Sequence, residues 1–126
     1  MADITPDIPE GRQLIQGYGN GGFRIAGERH EGSVIVLPNR TLSWNVGLYE
    51  DLSPESLAAI HEASTNIEVL LIGCGARMAM PSVVLKESLR AYGIVPETMD
   101  TGAACRTFNV LLSEDRAVAA ALIAVE

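Results

Sequence analysis

Basic residues are scarce in this chain. Nine lysines and arginines stand against sixteen aspartates and glutamates, a net charge of −7 over 126 residues. Non-specific binding to nucleic acid or to an anionic membrane needs clustered cations, and no run of basic residues overrides the average. No nucleic-acid partner is expected. Cysteine is scarcer still, with Cys74 and Cys105 the only two. Two cysteines in a chain of this size make no disulfide scaffold, so free thiols in a reducing compartment are expected. No apolar run approaches the ~20 residues of a membrane-spanning helix. The most apolar piece, Val118 to Val125, is far too short, and the acidic N-terminus has no leader-like apolar core. The expectation is a soluble, cytoplasmic protein with no direct membrane insertion.

The length suits one domain with a real core. Residues 1–12, with Pro6, Pro9, several acids and Gly11, read as a flexible tail, and residues 13–126 as one α/β domain. Leu14 to Tyr18 reads as a short strand broken by Gly19-Asn20-Gly21-Gly22, a tight-turn signal. This glycine cluster lacks the Gly-Lys-Ser/Thr of a phosphate loop. Phe23 to Ala26 alternates as a strand, Gly27 to Gly32 reads as a polar turn, Ser33 to Leu37 as a buried strand and Thr41 to Val46 as another. Short connections suit antiparallel pairing in this first third.

The pattern then changes period. Ser53-Pro54-Glu55 is a helix start, with Leu57, Ile60, His61 and Ser64 next at helical spacing and Asn66 as the end. Ile67 to Ile72 is the strongest strand, closed by the turn Gly73-Cys74-Gly75. Pro81 opens the next predicted helix, with Leu85, Leu89 and Tyr92 on its core side and Gly93 as its stop. Val95 to Met99 is a strand, and a helix comes after it with Asp100 or Thr101 as N-cap. Its spacing puts Ala104, Phe108, Leu111 and Leu112 inward and Gly102, Arg106, Asn109 and Ser113 on the other face. Arg116 to Val125 has helix-favouring alanines, but the βαβα order before it argues for a last parallel strand.

Gly73-x-Gly75 after a strong strand, with Asp100 ending the next, imitates a dinucleotide fingerprint. Met78 occupies the third glycine position, the helix starts late, and no second mononucleotide half exists, so no dinucleotide cofactor is expected. If the two strands are neighbours, the turns Gly73-Cys74-Gly75 and Asp100-Thr101-Gly102 lie side by side at the sheet's carboxyl edge. Arg77, Arg106 and Asn109 would then converge with Cys105 on a cleft able to hold an anion or a partner's carboxylate. A helix N-terminus can activate a thiol such as Cys105, but no histidine is near either cysteine in sequence, so no catalytic residue is assigned. His61-Glu62 lacks the second histidine of a zincin, and no metal or other cofactor is expected.

Several phrases match one family pattern together: Gln16 to Gly19 with Gly22 to Arg24, Gly32 to Val36, Ile67 to Gly75, Gly93-Ile94, Met99 to Asn109, and Ala119 to Ile123. Over roughly residues 13–124 the chain resembles the Mth-type domain family of unknown function. That family includes a mitochondrial NADH dehydrogenase (complex I) assembly factor and a vertebrate adipogenesis-associated protein. The resemblance implies a three-layer α/β domain with a mixed sheet, a small antiparallel β part at the N-terminal end and βαβαβ order in the C-terminal half. It also implies an accessory or assembly factor with protein partners, among them respiratory-complex subunits or other assembly factors. Any membrane association would come through those partners. An apolar β surface leaves room for a homo-oligomer. The alternative from the residues is a small-anion binder or enzyme using the predicted cleft.

Overall fold

The computed structural model describes residues 12–126. The expected tail lies outside the described residues, apart from Arg12, which is ion-paired with Asp115 at 2.8 Å. The first three strands form an antiparallel sheet, β1 (Ile15–Gly19), β2 (Gly22–Ile25) and β3 (Glu28–Glu31). Asn20 and Gly21 both have positive φ, 53° and 76°, as a two-residue hairpin requires. The segment expected to be a polar turn is strand β3. It pairs with β2 from Gly22↔Glu31 to Ile25↔Glu28. Its residues are polar because it is an edge strand with little apolar face to bury.

The main sheet has five strands in the order β5-β4-β8-β6-β7. They are β4 (Val34–Leu37), β5 (Arg40–Ser43), β6 (Val69–Gly73), β7 (Val95–Met99) and β8 (Val118–Leu122). β6 is parallel to β7 and β8, whereas β4 is antiparallel to β8 and β5. The helices are α1 (Ala58–Glu62), α2 (Val83–Ala91) and α3 (Thr101–Ser113). The connection from β6 to β7 runs one way along the sheet and that from β7 to β8 runs back. Right-handed crossovers then place α2 and α3 on opposite faces.

The two cores arise from strand alternation. On one face Ile35, Leu37, Leu70, Ile72, Ala119 and Ala121 pack with Leu57, Ile60, Leu85 and Leu89 of the helical side. On the other, Val34, Val36, Leu71, Val118, Ala120 and Leu122 pack with Ala104, Phe108 and Leu112 of α3 and with Ile15, Phe23 and Ile25 of the small sheet. The result is a three-layer mixed-sheet domain with the small antiparallel sheet beside α3. The alanines of β8 overrule their helix preference because a central strand covered on both faces is wholly buried. Small side chains there let α3 approach the sheet closely.

Three local expectations change. The helix after Ser53 is split into a 3-10 turn at Glu55–Leu57, the single turn and a half of α1, and a second 3-10 turn at Ser64–Asn66. Ser53 Oγ does accept the Ser56 N–H at 3.2 Å, but the Trp44 indole N–H holds the Ser56 carbonyl at 2.7 Å, in competition with a regular helical bond. Helix α2 begins after Ser82, whose hydroxyl accepts the Leu85 N–H at 3.1 Å, rather than at Pro81. Tyr92 is exposed rather than core, its ring stacked on His61 at 4.5 Å. At the free edge, Val95 N–H reaches Glu68 and Met99 C=O accepts from Cys74, so the alternate position Pro96 faces outward. Lacking an N–H, proline blunts that edge.

Candidate functional site

Adjacent parallel strands whose succeeding helices lie on opposite faces leave a crevice at their carboxyl ends, the usual ligand position in open α/β sheets. β6 and β7 meet that condition, and the register Gly73↔Met99 puts the two turns side by side. The crevice is laced by the chain's own hydrogen bonds. Thr101 Oγ1 donates to the Ile123 carbonyl at 2.7 Å and accepts the Gly75 N–H at 3.0 Å. The Thr101 N–H reaches the Gly75 carbonyl at 2.8 Å, Cys74 N–H the Met99 carbonyl at 2.8 Å, and Ile123 N–H the Gly73 carbonyl at 3.0 Å. Thr101 is fully buried. A Cβ on Gly73 would sit 3.0 Å from the Thr101 Cα and from Leu122, so only glycine lets these ends approach.

Asp100 is the N-cap of α3, its carboxylate accepting the Ala103 N–H at 2.8 Å. Gly102 is buried beneath Tyr18, whose hydroxyl would lie 2.5 Å from an added Cβ. Arg106 is exposed and donates to that hydroxyl at 3.4 Å. Asn109 is committed to β1: its amide accepts the Ile15 N–H at 2.8 Å and donates to the Ile15 carbonyl at 2.7 Å, a two-point clamp on one residue's backbone. Arg77 is exposed on the segment after Gly75. That segment runs toward the α2 side, where Ala79 packs on the helical core. The structure thus brings Gly73, Cys74, Gly75, Asp100 and Thr101 together. It sends Arg77 toward one face of the sheet and places Arg106 and Asn109 on the other.

Neither thiol is activated. Cys105 is buried against the sheet, and burial pushes it up to about 12 in spite of the Arg106 guanidinium. Burial also pushes Cys74 up, and its Sγ lies 3.6 Å from the Ile72 carbonyl and 3.8 Å from that of Ala79. Thiolates are the nucleophilic form, so both sulfurs behave as small core groups. Among the described residues, no three His, Cys, Asp or Glu side chains are placed to hold a metal ion. No helix among them is long and apolar enough to cross a membrane.

Two surface features escape a reading of local sequence. Met78, Met80, Val83 and Val84 are 60%, 72%, 67% and 67% exposed, an apolar stretch turned outward from the β6–α2 connection into the first turn of α2. Tyr49 holds it at one point, its hydroxyl donating to the Met80 carbonyl at 2.6 Å. At the opposite end of the sheet lies a groove of about 890 Å³ whose wall includes Arg12, Arg40 and Arg116. Those arginines are far apart in sequence. They share an end because β4 runs antiparallel to β8, which brings the β4–β5 turn beside the start of β8.

The family model described as a protein of unknown function (DUF498/DUF598) matches residues 15–123, from the first strand of the small sheet past the last strand of the main one. A NADH dehydrogenase [ubiquinone] 1 alpha subcomplex assembly factor 3 of Xenopus tropicalis is 42% identical over 110 residues, 87% of this chain and 60% of that protein. The chain thus spans less than two thirds of the curated relative it matches. The crystal structure of a protein described as an outer membrane protein of Bartonella henselae is 46% identical, with a TM-score of 0.87 over 95% of this chain and 100% of that one. A Bordetella pertussis protein solved by NMR and described as a Mth938-like domain superposes with a TM-score of 0.82 at 26% identity, over 97% of this chain and 92% of that one. With the match running through both sheets and the fold shared throughout, the chain belongs to the DUF498/DUF598 family of Mth938-like domains.

Proposed function

We propose that this chain is a non-catalytic accessory factor in the assembly of a respiratory NADH dehydrogenase, working through protein contacts. The observation that carries the reading is its 42% identity over 110 residues to a protein named as such an assembly factor. Its partners on this reading are subunits of the complex or other assembly proteins. It works in the cytoplasm and reaches the membrane only through them. The contact surface is the exposed rim of the carboxyl edge: Arg77, Met78, Met80, Val83 and Val84 on one side and Arg106 on the other. Exposed apolar patches mark protein contacts, and methionine adapts to irregular partner surfaces.

The alternative at the same edge, a small-anion binder or enzyme, needs an open crevice or an activated group. Thr101 fills the crevice and burial keeps both thiols protonated, which favours the contact reading. The test is affinity capture of the tagged chain from detergent-solubilised native cells, with Arg106→Ala and Met80→Ser as variants. Stoichiometric recovery of NADH dehydrogenase subunits or their assembly proteins, weakened by either variant at unchanged melting temperature, is the expected result. Recovery of the chain alone, or equal capture by wild type and both variants, would count against the proposal.

A further inference from the structure

We propose that the groove at the amino-terminal end of β6 and β8 is a binding site for an anionic ligand carrying phosphate or carboxylate groups. The groove holds about 890 Å³, within the ~300–1,000 Å³ range of ligand sites. Arg12, Arg40 and Arg116 line it, together with the neutral hydrogen-bonding side chains Asn39, Thr65 and Asn66. A third of the nine cationic side chains of a chain with net charge −7 meet in one concavity. Arg12 and Arg116 are matched by acids, Asp115 and Glu68, whereas Arg40 has no ion pair among the described residues.

The existing ion pairs are of a kind a ligand can replace. Arg12 pairs with Asp115 at 2.8 Å, and the arginine side chain is 28% exposed while the carboxylate is 82% exposed. Arg116 pairs with Glu68 at 3.0 Å, both half-exposed. Exposed pairs of this kind are weak, so a multivalent anion can displace them by charge-assisted, forked hydrogen bonds. Arg40 opens β5 directly after the β4–β5 turn and is exposed. Two acids also line the groove, Glu62 and Asp115. Asp115 occupies the left-handed region at φ 59°, a conformation asparagine also accepts. It acts as the internal competitor for Arg12, which fixes the sign of one test.

The site is independent of the contact surface proposed above, so either can fail alone. The experiment titrates the full ¹⁵N-labelled chain with inorganic pyrophosphate and, in a parallel arm, with citrate, both at constant ionic strength against a sodium chloride blank. Saturable shifts at the amides of Asn39, Arg40, Asn66 and Arg116 are expected in at least one arm. Pyrophosphate alone would assign a phosphate ligand, and citrate alone a carboxylate. Arg40→Gln should weaken binding about tenfold, the size of one lost charge-assisted contact. Asp115→Asn should strengthen it severalfold, which a purely structural ion pair would not do. Arg90→Gln, an exposed arginine on α2, should leave it unchanged. Shifts that track the sodium chloride blank, or map away from the groove, would overturn the proposal. So would wild-type binding by Arg40→Gln together with no gain in Asp115→Asn.

Discussion

The two ends of the main sheet invert what each would be expected to offer. The carboxyl edge has the topology of a ligand crevice, yet it is closed by five hydrogen bonds among three strand ends and a buried threonine. The amino edge has no topological claim to a site, yet it is open, concave and lined by three arginines. The difference lies in the size of the residues at the strand ends. After β6 and β7 the chain turns with small residues, Gly73 and Gly75 and then Thr101, and small residues let backbones tie together. At the amino end, the connections carry longer side chains, Arg40 and Arg116 among them, and the groove between them is open. Strand topology thus says where a crevice is possible, and side-chain volume decides whether it stays open.

The closed end is the easier to break. Thr101→Val keeps the shape and removes the hydroxyl, leaving the Gly75 N–H short of its acceptor and the Ile123 carbonyl of its donor. Orphaning one buried and one part-buried polar group together should cost about 2–4 kcal/mol, read as a lower urea midpoint, with Thr101→Ser recovering much of it. Gly73→Ala should come next at about 1–3 kcal/mol, because its Cβ meets the Thr101 backbone rather than a movable side-chain tip. Asn109→Ala removes both bonds to Ile15 and should cost about 1–2 kcal/mol, with the amides of β1 losing exchange protection first.

The buried thiol gives a pH test. The folded Cys105 is raised from an ordinary value of 9.0 to about 12. The folded state therefore holds its proton more tightly than the unfolded one. Its contribution to stability is complete below pH 9 and is lost as pH rises from 9 toward 12. Cys105→Ala should flatten the alkaline fall in urea midpoint while lowering the neutral-pH value. The smallest effect belongs to Arg106→Ala. Its one bond among the described residues, to Tyr18, is long and exposed, so stability should change by no more than about 0.5 kcal/mol. That leaves partner capture to report its role cleanly.

Much of this arrangement is legible in the residues. The alternation of Val34 to Leu37 and of Leu70 to Ile72 gives both faces of the sheet. Asn20-Gly21 marks the hairpin, Asp100 the cap, and the βαβα order places Val118 to Leu122 as a strand against its alanine composition. What stays hidden depends on partners distant in sequence. Glu28 to Glu31 has no apolar signal because β2 alone makes it a strand. Trp44 competes for a carbonyl twelve residues on and helps break a helix whose own signals are sound. The turn pair Gly73-Gly75 and Asp100-Thr101 is foreseeable as neighbours, but Thr101 as a plug is not, because its acceptor is Ile123, just past the end of β8. The arginine groove is invisible for a related reason: its members meet only once β4 is known to run antiparallel to β8.

The chain itself closes the carboxyl-edge crevice. Native-state hydrogen exchange at the Gly75 amide reads that closure, since the N–H is held by the Thr101 hydroxyl and not by a strand or helix bond. Gly75, Cys74 and Thr101 should exchange with the free energy and denaturant dependence of global unfolding. Thr101→Val should shift Gly75 alone to a local opening. Exchange of Gly75 through a local, denaturant-independent opening in the wild type would show instead that the closure is not part of the global fold. The crevice would then be one that opens and is able to admit a ligand.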